Sequence, residues 1–435
     1  MTPTMTAARP WFRLDRHAGV RPTLPPQIQA MLQNGILDRV FKDALVPNFL
    51  FSAIADSEPW QGGLGDTKTM TRTGLLTPVP TAITGSDATA ATYAIEQWSV
   101  TMDQYGNSMD TNMLSSAMAL ASKFLRDVET LGINAGQTIN QLARNKLYSA
   151  YAGGRTWATG AITTATALVV QSVAGFATVL VNGVPTPVSG ANPLTVTIAG
   201  VANTVTGVNP GTQTLTLGTA ATVAVGAAVV AATAPVSIRA AGANSAYDLV
   251  SSNLVTFQNF RSAVARLRKM NVPTNGGYYT AQIDPDTEAQ LFSDPDFKQA
   301  LQGRVDSPIF RDLSIGRFGG IDWVRNIETP TTLGSSAQTM TVHRPIVYGA
   351  SALTAAPMED TSALLAGSGV EDIPEIRTID AAPGVDVTLI VRPPQDRFQQ
   401  VLSTTWSWVG DYGIPSDAGT GDAAIYKRAV VIEHA

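Results

Sequence analysis

The sequence predicts an α+β protein that carries an all-β module within it, and three observations lead there. The 83 residues from Thr156 to Ile238 contain no Asp, Glu, Lys, Arg or His. A long apolar stripe at helical spacing precedes them. Mixed helix and strand patterning resumes after them near Ala246. The uncharged block therefore reads as a β-rich insert in a host domain.

A chain of 435 residues can bury a sizeable core without covalent staples. Cysteine is absent, which removes disulfides, thiol nucleophiles and cysteine metal sites, and fits folding in a reducing cytoplasm. A formal net charge of -5 argues against a dedicated nucleic-acid binder, because phosphate neutralisation needs a concentrated basic surface. Only Met1 to Arg21 is locally basic, through Arg9, Arg13, Arg16 and Arg21, and it lacks the apolar core of a signal peptide. An arm touching phosphate and a solvated tail are both open for it, the tail being favoured. From Pro26 to Leu45, Ile28, Met31, Leu32, Ile36, Val40 and Phe41 give an amphipathic arm helix that Asn34-Gly35 should bend.

Asp66 to Ala90 is rich in Thr, Gly and Pro without an apolar stripe. It is either a disordered loop or an extended hairpin ordered by a neighbour. Tyr93 to Met102 follows as a strand. Ser108 to Tyr151 is the longest helical region, with Met109, Met113, Phe124, Val128, Leu131, Ile139 and Leu147 in its stripe and Gly132 and Gly136 marking a kink or break.

Within the uncharged block, runs 167–173, 177–181, 194–198, 202–206 and 213–217 are rich in Val and Thr and are separated by Asn-Gly, Ser-Gly, Ala-Gly and Pro-Gly turns. They predict a small barrel or sandwich. Its most apolar window, Ala220 to Ala234, is too short for a helical membrane span.

Beyond the block, Leu254, Phe257, Phe260, Val264 and Leu267 predict a helix ended by Pro273. Gly276 to Ile283 predicts a strand leading to a helix that starts at Asp284-Pro285, and Asp294-Pro295-Asp296 repeats the device. Capping accounts for both Asp-Pro-Asp triplets, so no metal is assigned to them. Gly62 to Lys68 lacks the end of a phosphate-binding loop, and no nucleophile elbow occurs. His17, His343 and His434 are scattered, and pairs such as Glu371/Asp372 are uninformative. No catalytic, cofactor-binding or metal residue is assigned and no cofactor is expected. An enzyme would need an unexpected site built from residues such as Asp322, Arg325 and Glu328.

The order of these elements resembles a tailed-bacteriophage major capsid protein of the Hong Kong 97 fold. The local wording that carries this is Gly277 to Asp286 with Leu291, Asp294 and Phe297, then Ile315 to Arg325 and Glu328-Thr-Pro330, and finally Val409 to Gly413 and Lys427 to Glu433. The resemblance implies an N-terminal arm at 1–55 and an extended loop, a β-hairpin, at 56–95. It implies a peripheral-domain strand and spine helix at 96–155, an inserted β-rich domain at 156–240 displayed outward, an axial domain at 246–400, and terminal strands at 401–435 returning to the peripheral domain. It further implies a non-enzymatic homo-oligomer, with pentamers and hexamers in an icosahedral head shell around double-stranded DNA, assembled in the host bacterial cytoplasm. A separate scaffolding protein, a portal and weak non-specific contact of the arm with packaged DNA are the partners implied, with no membrane. A secreted adhesin or surface-layer protein, and an encapsulin-type compartment shell, are the alternatives.

Overall fold

The computed structural model describes residues 24, 28, 29 and 31 and those from 35 to 435, apart from 47–48, 61–64, 74–89, 91–94, 113–119, 182–183, 241, 303–315, 335–339, 360–374, 383–384, 395, 399 and 415–426. The basic tail, the middle of the Thr/Gly-rich loop and the Glu371/Asp372 pair lie outside the described residues.

Helix α1, Ile36–Leu45, starts directly after Gly35, whose left-handed φ of 64° makes the expected bend. It buries Leu37, Phe41 and Leu45, one residue per turn, against helix α2, Leu120–Tyr151. The 32 residues of α2 span about 48 Å. Two expectations are corrected here. The part of the expected helix from Ser108 to Asn112 is strand instead, because Asp103–Asn112 pairs along Val401–Gly413. Its polar, one-sidedly exposed sequence takes strand form through its partner and not through any pattern of its own, and Met109 packs on the core from a strand. Nor do the glycines break the helix, which runs through both of them. A Cβ on Gly132 would meet the Phe41 carbonyl oxygen at 2.8 Å and Ala44 Cβ at 3.0 Å, so this residue admits the backbone of α1.

Helix α2 lies on a sheet in which Ala55–Ser57, Leu353–Pro357, Val401–Gly413, Val385–Arg392 and Glu375–Ala382 are successive neighbours, with Asp103–Asn112 also paired to Val401–Gly413. Phe124, Val128, Leu131, Ile139 and Leu147 on the helix meet Trp406, Trp408, Tyr412, Leu389 and Val387 in one core. At about 1.5–3 kcal/mol for each fully buried large apolar side chain, this core is a principal source of stability.

A second mixed sheet runs in the order Ser237–Ile238, Ala429–Ile432, Ile346–Tyr348, Tyr279–Ile283, Ile321–Arg325 and Arg317–Phe318. Helices α3 (Phe257–Lys269), α4 (Pro285–Ser293) and α5 (Pro295–Gln302) cover it through Phe260, Leu267, Leu291 and Phe297. The expected boundary near 400 therefore cuts across both sheets. Leu353–Pro357 and 375–392 belong with the long helix, and Ala429–Ile432 is a buried central strand of the second sheet. A Val-Val-Ile run states that a strand is buried but not between which neighbours.

Residues 155–231 form a third body with its own core of Leu168, Phe176, Val196, Ile198, Val205 and Leu215. Six strands follow the order Arg155–Trp157, Ala228–Ala231, Leu194–Ile198, Val201–Asn209, Thr214–Val223 and Ile162–Val169. The two edges then meet at one end. Thr159 N donates to Val169 O at 3.0 Å and Gln171 N to Trp157 O at 3.1 Å around a single bridge between Ala158 and Val170, so the sheet curls round into a barrel joined there. Leu194–Ile198 alternates strictly between buried Leu or Val or Ile and exposed Thr. The first long strand covers Ile162–Val169, earlier than its apolar run suggested.

Candidate assembly interface

Thr67–Thr73 pairs antiparallel with Ile95–Thr101 over seven residues each, and this hairpin forms its own two-stranded sheet. Its two faces differ chemically. Met70, Trp98 and Val100 are buried with Ala356 of the first sheet, and Arg72 stacks over Trp98 at 5.4 Å. Lys68 reaches back to the Glu58 and Pro59 carbonyl oxygens, both at 3.0 Å. On the opposite face Thr67 lies across from Thr101, Thr69 from Ser99 and Thr71 from Gln97, and Gln97 donates to Thr71 Oγ1 at 3.3 Å. That face is an uncharged ladder of donors and acceptors, with Thr67, Thr69, Thr71, Ser99 and Thr101 exposed.

The hairpin is carried by a body locked at one polar node. Asn140, buried on α2, accepts from Leu50 N at 3.0 Å and Phe51 N at 2.6 Å, and donates to Glu328. Buried Gln282 donates to the Leu50 carbonyl oxygen at 2.9 Å and accepts from Asn326 at 2.7 Å. The arm, the long helix and the second sheet are thus fastened together by side chains whose polar groups have partners, as burial demands.

No family model and no curated protein matches the chain. Solved structures do match it over nearly its full length. The capsid of Ralstonia phage GP4 matches with a TM-score of 0.48 and 14% identity, covering 88% of each chain. The capsid of the cyanophage P-SCSP1u gives 0.48 and 11% over 89% of this chain and 88% of that one. The cyanophage Pam1 capsid gives 0.45 and 11%, covering 91% and 92%.

Asp322 pairs with Arg317 at 3.3 Å, Arg325 with Glu288 at 2.6 Å, and Glu328 holds Asn140, so these three do not converge. Asp284 caps α4, accepting from Thr287 N at 3.4 Å, and Asp294 accepts from Phe257 N at 2.6 Å and Asp296 N at 3.1 Å. Two of the histidines meet. His343 and His434 stack at 5.4 Å because their backbones pair antiparallel at an isolated bridge. His343 Nδ1 lies 2.7 Å from Asp284 Oδ2, and its Nε2 lies 3.8 Å from Asp286 Oδ2. Burial pushes the Asp284 carboxyl up, but hydrogen bonds from His343 and Thr287 outweigh it and hold the group at about 2. The same bond raises the His343 imidazole. Burial lowers His434 to about 4.

A further cluster had no signal in the sequence. Glu433, fully enclosed, bonds Arg239 on one oxygen and Arg344 at 3.0 Å on the other. Burial pushes its carboxyl up, but the two guanidinium groups hold it below the usual range. Among the described residues no helix is long and apolar enough to cross a membrane.

Proposed function

We propose that this chain is a shell-forming coat protein, the major capsid protein of a tailed double-stranded DNA bacteriophage with the Hong Kong 97 fold. The observation that carries this reading is the hairpin. A two-stranded hairpin is at best marginally stable alone, and this one has a single anchored face and, on the other, an exposed ladder of hydroxyls whose side-chain bonds stay within the hairpin and its approach, from Gln97 to Thr71 and from Thr67 to Asp66. Such a face gains its partners when it lies across a neighbouring copy. Closed symmetry then multiplies many modest interfaces, each on the order of 2,000 Å² in total.

In this reading α2 with the first sheet is the peripheral domain, the second sheet with α3, α4 and α5 is the axial domain, and residues 156–240 are an insertion domain on the outer surface. Pentamers and hexamers form the virion head in the host bacterial cytoplasm, with a separate scaffolding protein, a portal and the arm's weak contact with DNA. No catalytic role is assigned, since the Asp284, His343 and Glu433 clusters are occupied with one another's charges and with capping.

The test is light scattering and negative-stain imaging of the full chain expressed in bacteria, alone and with its neighbouring genes. Closed shells or capsomer rings are expected. Thr69→Lys with Ser99→Lys, which places like charges in the hydroxyl ladder, should abolish them while the far-ultraviolet circular dichroism is unchanged. A stable monomer from the native chain in both conditions would overturn the reading.

A further inference from the structure

Where the long helix ends and the barrel begins, the chain concentrates positive charge that its carboxylates do not balance. Arg155 opens the barrel, Arg239 leaves it, and Arg344 enters the second sheet, yet Glu433 is the carboxylate bonded to this group. Asp284, the next acid in reach of Tyr148, is engaged by His343. Glu433 bonds Arg239 and Arg344, so three guanidinium groups share one carboxylate and Arg155 is the one not bonded to it.

Its hydrogen bonding tells the same story. Arg155 donates Nε to the Pro235 carbonyl oxygen at 2.9 Å, and its terminal nitrogens make no hydrogen bond among the described residues. Arg344 spends one terminal nitrogen on Glu433, while its Nε is shut off from solvent without a partner. The Arg344 Nε, removed from water without a partner, is costly unless an acceptor is supplied, and the Arg155 terminal nitrogens remain open to one.

Between these two arginines lies a cavity of about 180 Å³. Arg155 and Arg344 line it together with Ser149, Thr156, Gln171 and Ser172. Each water claims about 30 Å³, so the space holds a handful of waters or one small polyatomic anion. Two planar forks and a rim of hydroxyl and amide donors suit an oxyanion with several acceptor atoms better than a single halide. The lining comes from the end of α2, from the barrel strand Arg155–Trp157 and the connection that follows Ile162–Val169, and from the second body, so an occupant would join all three.

We propose that this cavity is a binding site for one tetrahedral oxyanion of the phosphate or sulfate class, which fixes the barrel to the long helix and the second sheet. The site is independent of the assembly reading. It follows from the charge count and the cavity alone.

The experiment is a calorimetric titration of the full chain with inorganic phosphate and with sulfate, with chloride and acetate at matched ionic strength as comparisons. Thermal unfolding is followed in the same buffers. Phosphate and sulfate should bind saturably and raise the unfolding midpoint, because a ligand of the folded state stabilises it by mass action. Arg155→Gln should weaken that binding about ten-fold or more through loss of a charge-assisted bond, and exposed Arg397→Gln should leave it unchanged. Arg344→Gln, in which Arg239 still neutralises Glu433, provides the second variant, with the same loss expected. No saturable response to either oxyanion by the native chain would overturn the proposal. So would an equal response to acetate or chloride, or native affinity in a folded Arg155→Gln protein.

Discussion

Asn140 accepts the backbone N–H of Phe51 at 2.6 Å across 89 residues of sequence, and through that bond the middle of the long helix holds the root of the N-terminal arm. Its second acceptor bond goes to Leu50 N and its amide donates to Glu328, so one short side chain serves three segments. Asn140→Ala would strand two backbone donors and a carboxylate oxygen. Each unsatisfied buried group costs about 1–3 kcal/mol, so a loss of about 3–5 kcal/mol is expected. Urea unfolding measures the loss. Limited proteolysis should show the chain opening first near Leu50, and an unchanged urea midpoint would refute the node's importance.

Gly132 sits inside an exposed-looking helical pattern, where replacement by Ala ordinarily gains about 1 kcal/mol. Here the added methyl would press on the Phe41 carbonyl at 2.8 Å and on Ala44 Cβ at 3.0 Å. We expect Gly132→Ala to destabilise by about 1 kcal/mol or more, the usual range for overpacking, and Gly132→Leu to free α1 for proteolysis. A rise in stability for Gly132→Ala would show that the two helices part without cost.

Stability should peak near pH 6.5, because the stacked histidines are shifted in opposite directions. His434, lowered to about 4 chiefly by burial and also by His343, binds its proton in the unfolded chain first. The unfolded state therefore takes up more protons between about 6.5 and 4, and stability falls as pH falls through that window. The shift converts to roughly 3 kcal/mol as an upper figure. His343, raised chiefly by its bond to Asp284, holds more protons folded than unfolded, so its contribution is full below 6.5 and fades as pH rises through its folded value. Asp284, held at about 2, contributes fully above its unfolded value of 3.8 and loses that contribution only as pH falls from there toward 2, below the acid limb set by His434. Urea midpoints at pH 4.5, 5.5, 6.5 and 8 test the curve. His434→Gln should flatten its acid limb.

Which parts of this molecule were legible beforehand follows from how local their causes are. The barrel strand Leu194–Ile198 was readable because its apolar and Thr residues alternate within five positions, and Ala199-Gly200 supplies the two positive φ angles, 48° and 85°, of its hairpin. The strand Asp103–Asn112 was misread as helix from Ser108 onward because its conformation is imposed by a partner about 300 residues away. The same holds for the chemistry. His343 and His434 looked scattered until strand pairing brought them together, and the same pairing brought Arg344 onto Glu433. Helix caps such as Asp284 act within four residues, so those were plain.

The barrel's attachment yields the last prediction. Its entrance and exit are bonded to each other: Ala231 N donates to Gly154 O at 2.8 Å, and Arg155 Nε to Pro235 O at 2.9 Å. Gly154 N also donates to Ala174 O at 2.7 Å, and a Cβ on Gly175 would strike Gly154 N at 2.3 Å, so the backbones there touch without side chains between them. A body whose ends meet and whose core is its own can be removed without pulling the host apart. Replacing Thr156 to Pro235 by a few glycines should leave the two remaining sheets folded, judged by circular dichroism and by the fluorescence of buried Trp406 and Trp408. The assembly state then separates two roles for the barrel. Regular shells of native size from the excised chain would make it a display or folding element, whereas folded protein that yields no shells would make its uncharged surface a contact between copies.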